Sequence, residues 1–124
     1  MLRYDRAPDL DHRVNELIRL LGLDYIDPAG LICVRSYGSK SRAIAWCHGL
    51  PSVWQSALGA KTRYVIEVVS ESFDSLVEDE KTATLVHELM HIPSTFSGGV
   101  RPHKPYEFSR RVTEMVRRLK RAKR

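Results

Sequence analysis

Five consecutive residues, His87-Glu88-Leu89-Met90-His91, constrain this chain more than any other part of it. On a helix, positions four apart share a face, so His87 and His91 present their imidazoles together and Glu88 occupies the adjoining edge. The neighbouring residues require that helix to be buried. Over residues 83–92, Leu85, Leu89 and Ile92 make one apolar stripe and Val86 and Met90 a second, leaving Thr84, His87, Glu88 and His91 as the polar remainder. A helix apolar around most of its circumference belongs in an interior. Polar groups carried into an interior need partners, and one metal ion satisfies both imidazoles. Zinc is the expected cofactor, because it takes imidazole nitrogen and its catalytic sites keep a position open for water. Glu88 is then the expected catalytic residue, placed to take a proton from that water.

A catalytic zinc ion normally has three protein ligands, so one more donor is expected downstream of His91. His103 is the first candidate, since residues 94–103 form a loop in which Gly98-Gly99 allows a sharp reversal back over the site. Glu107 and Glu114, on a helix expected over about 105–124, are the alternative third ligands. A developing oxyanion needs a further donor, for which Arg101, Tyr106 and Tyr37 are candidates. Glu67 and Asp74 are candidates to receive the second N–H of a liganding imidazole.

The rest of the chain supplies a small mixed framework. The period of Val14, Leu17, Ile18 and Leu21, stopped by Gly22, predicts a helix over 11–21, with Asp9 or Asp11 as its cap. Residues 31–36 and 43–48 read as two strands joined in a hairpin, which sets Cys33 opposite Cys47 and puts Ile32, Val34, Ile44 and Trp46 on the core face. For the two cysteines, buried reduced thiols are favoured over a cross-strand disulfide. Pro51 and Gly59 bracket a short helix over 52–58, and residues 63–70 are the strongest strand, as apt for a covered core position as for a substrate-binding sheet edge. Ser75-x-x-Glu78 has the pattern of a capping box opening the metal helix, which must stop near Pro93. The expectation is one α+β domain over 1–124: a sheet of about three strands packed against the active-site helix and flanking helices.

Composition narrows the setting. No apolar run approaches the length of a membrane span, and the charged N-terminus does not read as a secretion signal, so a cytoplasmic protein is expected. The net charge of +5 is unevenly placed: residues 101–124 hold ten Lys and Arg against two acids, while residues 1–100 carry −3. Such a basic helix is either a solvated surface or a site for nucleic acid. A nucleic-acid-associated protein with a structural or vestigial metal is therefore the alternative to a zinc peptidase acting on peptides or proteins, and a non-proteolytic zinc hydrolase is a third reading.

Residues 87–103, HELMHIPSTFSGGVRPH, with Phe73-Asp74-x-Leu76 upstream and the Arg35-Ser36-x-Gly38-Ser39 and Arg42-Ala43 segments before it, resemble a family of small metallopeptidases found in archaea and phages. The resemblance extends over about residues 32–108. It implies a zincin-like fold distantly akin to Spartan-like proteases, with His87, His91 and His103 as metal ligands and Glu88 as the catalytic acid and base. Ser94 and Ser97 stand where metzincins carry Gly and His, which excludes that group.

Overall fold

The computed structural model describes residues 1–102 and 105–122, with the backbone alone over 105–107. Four strands make one mixed sheet: β1 (Arg3–Arg6), β2 (Leu31–Tyr37), β3 (Ala45–Gly49) and β4 (Tyr64–Val69), in the order β1-β2-β4-β3. β4 runs parallel to β2 and antiparallel to β3, and β1 is antiparallel to β2. The expected hairpin therefore does not form, because β4 lies between its two arms. The physical reason is the composition of β4, apolar on both faces except at Glu67, which favours the central position where both backbone edges find partners. The shorter β3, carrying Trp46 and His48, is left at the edge.

Two consequences follow. Cys33 and Cys47 both stand opposite Ile66, from opposite sides. Two strand spacings, roughly 9.5 Å, exceed the reach of a disulfide, and both thiols are free. The core face of β2 is also the reverse of the expected one: Leu31 and Cys33 are buried, whereas Ile32 and Val34 lie half-covered on the other side with Trp46 and Val65. The sheet has one strand more than expected, because the exposed Arg-Tyr-Asp-Arg of β1 carries no apolar alternation.

Among the described residues five α-helices complete the fold: α1 (Pro8–Leu21), α2 (Ser52–Leu58), α3 (Ser70–Phe73), α4 (Glu78–Leu89) and α5 (Pro105–Ala122). Pro8 opens α1 where a missing N–H costs nothing, and Gly22, at φ 65°, closes it. Neither Asp9 nor Asp11 caps this helix. Asp11 accepts the Cys33 backbone N–H at 2.7 Å, and Asp9 accepts from the Arg35 guanidinium, also at 2.7 Å, so both acids tie α1 to β2. The side chains of α1, α4 and α5 bury Tyr64, Ile66 and Val68 of the sheet together with Val14, Leu85, Leu89 and Phe108. At the far end of α5, Lys120 reaches Asp79 at 3.3 Å and Arg118 donates to the Leu21 carbonyl at 3.4 Å. This α+β arrangement sets α4 against β3 on one side and α5 on the other.

Candidate metal and catalytic site

The capping box expected at the start of α4 is absent. Val77 holds the cap position without a side-chain bond, and the Ser75 hydroxyl donates instead to the Ser72 carbonyl at 3.1 Å. The dipole is met by the acids Glu78, Asp79 and Glu80. At the other end, regular helix stops at Leu89. The His91 N–H bonds to the Glu88 carbonyl and the Ile92 N–H to the Leu89 carbonyl, both at 3.1 Å. His91 thus sits on a tightened, three-residue turn, while His87 and Glu88 remain on the helix. The two rings stay together across this change of winding, with centroids 5.3 Å apart and planes at 60°.

The loop after Pro93 is fastened to the sheet before it returns. The Tyr64 hydroxyl accepts the Gly98 N–H at 2.9 Å and donates to the Gly99 carbonyl at 2.7 Å, and Gln55 donates to the Ser97 carbonyl at 2.8 Å. Gly98 takes φ 106°, a conformation that suits glycine. A methyl group at Gly49 would collide with the Gly98 carbonyl oxygen, so the loop passes directly over the end of β3. It comes back to His91 at Arg101. The Arg101 N–H donates to the His91 carbonyl at 2.8 Å, and His91 Nδ1 lies 2.7 Å from the Arg101 carbonyl oxygen. A carbonyl can only accept, so Nδ1 carries a proton, and in the neutral ring Nε2 carries the lone pair. Liganding histidines are commonly oriented in this way.

Glu88 is 7 % exposed, and burial pushes its carboxyl up to about 7. Phe108 of α5, fully buried, lies against both imidazoles, its ring centroid 5.4 Å from that of His87 and 4.7 Å from that of His91. It is the site residue that the sequence reading missed, although its spacing from Val112, Met115 and Leu119 marks it as part of the buried face of α5. His87 and Glu88 open onto a cleft of about 610 Å³ walled by Ile44 and Ala45 on the β3 side and by Val112 and Thr113 on α5. Cys47 stands nearby on the inner face of β3. Burial, and then the charge of Glu88, raise its thiol to about 12, which keeps it protonated at neutral pH.

Residues 2–123 match a family model described as putative phage metallopeptidase. The chain belongs to that family. The match runs from β1 to the end of α5, so the N-terminal edge strand and the basic helix are both within the family's extent. Neither the curated proteins nor the solved structures gave a match. A metallopeptidase implies a metal and a peptide or protein substrate, and no described helix is long and apolar enough to cross a membrane.

Against that family identity, the expected site residues fall into three groups. His87, Glu88 and His91 are together, and Arg101 joins them through its backbone. His103 lies outside the described residues, as do the side chains of Tyr106 and Glu107. Glu114 is exposed on α5 beside Arg110 and Arg117, and Tyr37 lies under the Arg3 guanidinium at 4.4 Å. The carboxylates expected to orient a histidine are committed elsewhere: Glu67 to His48 at 2.8 Å, and Asp74 to Arg35 at 3.0 Å and to the Ser70 hydroxyl at 2.7 Å. Among the described residues no group of three His, Cys, Asp or Glu converges on one point. The two imidazoles present, one with its tautomer fixed, have the donor chemistry that suits zinc.

Proposed function

We propose that this family member is a zinc-dependent peptidase in which His87, His91 and His103 hold the ion and Glu88 is the general base and acid. The observation that carries the reading is the bond from His91 Nδ1–H to the Arg101 carbonyl, together with the buried carboxyl of Glu88, which has no ion pair among the described residues. It leaves Nε2 of His91 as the donor nitrogen, and it leaves Glu88 for proton chemistry. The assignment of His103 is supported from both sides of that residue, since Arg101 is fastened to His91 and Phe108 to both rings. A bound zinc ion would supply Lewis acidity toward the scissile carbonyl and toward water.

The remaining steps belong to the chain. Glu88 accepts the proton of the attacking water and returns it to the leaving amine. Burial strengthens it as a base, because its charged form is poorly solvated. Phe108 backs the imidazoles with an apolar wall that limits the ways they can turn. The central position of β4 excludes it as the substrate edge, and β3 takes that role: its pairing is with β4 alone among the described strands. An extended peptide adding along Ala45–Gly49 would pass beside the cleft that holds Glu88.

Two variants test the assignment. Glu88→Gln should retain stoichiometric zinc, measured on the purified folded protein, and lose about 10²–10⁴-fold in kcat. His91→Ala should lose zinc and activity together. A folded, zinc-supplied wild type without bound metal would refute the proposal, as would Glu88→Gln with undiminished hydrolysis.

A further inference from the structure

We propose that the polypeptides this site receives are acidic, selected by arginines that border the cleft; this deepens the peptidase reading and rests on it. Arg42 lines the cleft on the β3 side, in the same space as His87 and Glu88. On the opposite wall, Ser109 and Thr113 face the cleft and also border a groove of about 670 Å³ along α5 that carries Arg110, Arg117 and Arg121. Those three arginines fall at i, i+7 and i+11 and so form one row along the helix. At 1.5 Å per residue the row is about 16 Å long, the span of roughly five residues of extended chain.

Of the three cations of α5 outside this row, Arg111, Arg118 and Lys120, two are held by other parts of the fold. Lys120 is engaged with Asp79, and Arg118 with the Leu21 carbonyl. Among the described residues, Arg42, Arg110, Arg117 and Arg121 have no carboxylate partner. Glu88 is the one carboxylate among the described lining of the cleft, and Glu114 the one in the groove. An incoming chain therefore meets Arg42 in the cleft and the arginine row in the adjoining groove, and its acidic side chains gain contacts that no carboxylate of the described residues already occupies.

Nucleic acid is also drawn to cations, but the observations favour a peptide. Arg42, three residues before β3, lines the same cleft as Ala45 of that strand, whose pairing among the described strands is with β4 alone and where a peptide strand would be received. The apolar wall of Ile44, Ala45 and Val112 suits side chains, and neither described lining presents a Phe, Tyr or Trp on which a base would stack.

The test measures binding apart from turnover. Labelled peptides of matched sequence, differing only in Glu and Asp against Gln and Asn, are titrated by fluorescence anisotropy into zinc-supplied Glu88→Gln protein. The acidic peptide should bind about tenfold more tightly at low salt, the scale of several partly exposed charge contacts acting together. The ratio should shrink as salt rises, fall in the Arg110→Gln/Arg117→Gln double variant, and fall below one in Arg42→Glu. A ratio near one in the Glu88→Gln protein would overturn the proposal. So would a DNA duplex that binds more tightly than the acidic peptide and displaces it through the same arginines. Wild-type protein on the same peptides separates the two readings. Absence of cleavage with the acidic binding preference intact would sink the peptidase and leave the selectivity standing. Cleavage without any acidic preference would do the opposite.

Discussion

Glu67 and Glu88 are both buried carboxyl groups near histidines, on opposite faces of the same small layer of structure. Glu67, 4 % exposed, points to the half-open face of the sheet and meets His48 Nε2 at 2.8 Å. There the imidazole is spent on the carboxylate, and the pair is satisfied. At the end of α4 the donors are distributed differently: His91 gives its Nδ1–H to the Arg101 carbonyl, and burial raises Glu88 with no compensating cation among the described residues. A buried carboxyl costs stability unless it is paired. The chain meets that cost at Glu67 and leaves it standing at Glu88, where a proton acceptor is useful. The two sites hold the same residue types, and what separates them is which acceptor each imidazole serves.

The sharpest way to break this contrast is to move the acceptor of His91. Gly98→Ala places a methyl group against the Leu50 carbonyl and forces a residue with Cβ into φ 106°, so the loop that delivers Arg101 must shift. Zinc affinity should weaken about 10–100-fold, the usual consequence of losing the group that orients a liganding histidine. Competition with a chromophoric chelator would measure it. Unchanged affinity would show that the Arg101 carbonyl does not position His91. On the other face, His48→Ala removes the partner of Glu67 and should leave zinc binding as it is. Because His48 is half-exposed, water replaces part of the lost bond, and the expected cost is about 1 kcal/mol in urea denaturation. A loss of zinc in His48→Ala would mean that the two sites are coupled through the sheet.

Much of the helical part of this contrast was legible in the sequence, and little of the rest was. The two apolar stripes of α4 are periodic, so its burial and the grouping of His87 with Glu88 follow from spacing. Ser52–Leu58 is legible because Pro51 and Gly59 mark its ends chemically. The sequence marks β4 as a strand and leaves a covered core position and a sheet edge equally open; the structure makes it central. Which strands pair is decided by competition among segments distant in sequence, and adjacency made a hairpin of residues 31–48 look better than it was. The orientation of His91 was illegible for a different reason. Its acceptor is a backbone carbonyl, which has no side-chain signature, whereas the carboxylates Glu67 and Asp74 do. Ser75 misled because its hydroxyl has a closer use, closing the turn after α3 on the Ser72 carbonyl rather than capping α4.

Asp74 supplies the smallest and most specific prediction, since it represents a third way of holding a carboxylate. The Arg35 side chain, 19 % exposed, lies between Asp9 at 2.7 Å and Asp74 at 3.0 Å, joining α1, β2 and the segment before α4. The Arg35 hydrogen bond lowers Asp9 below its ordinary 3.8. Burial works against Asp74, but the bonds from Arg35 and Ser70 outweigh it, and Asp74 is lowered too. Groups with depressed folded pKa values contribute stability that is fully present above about pH 4 and is lost as the pH falls through the folded values. Both carboxylates are partly exposed, so the contribution is about 1 kcal/mol or less for the cluster. Arg35→Gln should therefore be less stable than wild type at pH 6, and the gap should close on acidification below about pH 4. Protonation of the imidazoles affects both proteins alike, so the difference between their urea midpoints isolates the cluster. A gap that persisted unchanged to about pH 2.5 would assign the role of Arg35 to packing of its apolar stem. A closing gap would show that here, unlike at Glu88, the fold gives a carboxylate a partner that holds its charge.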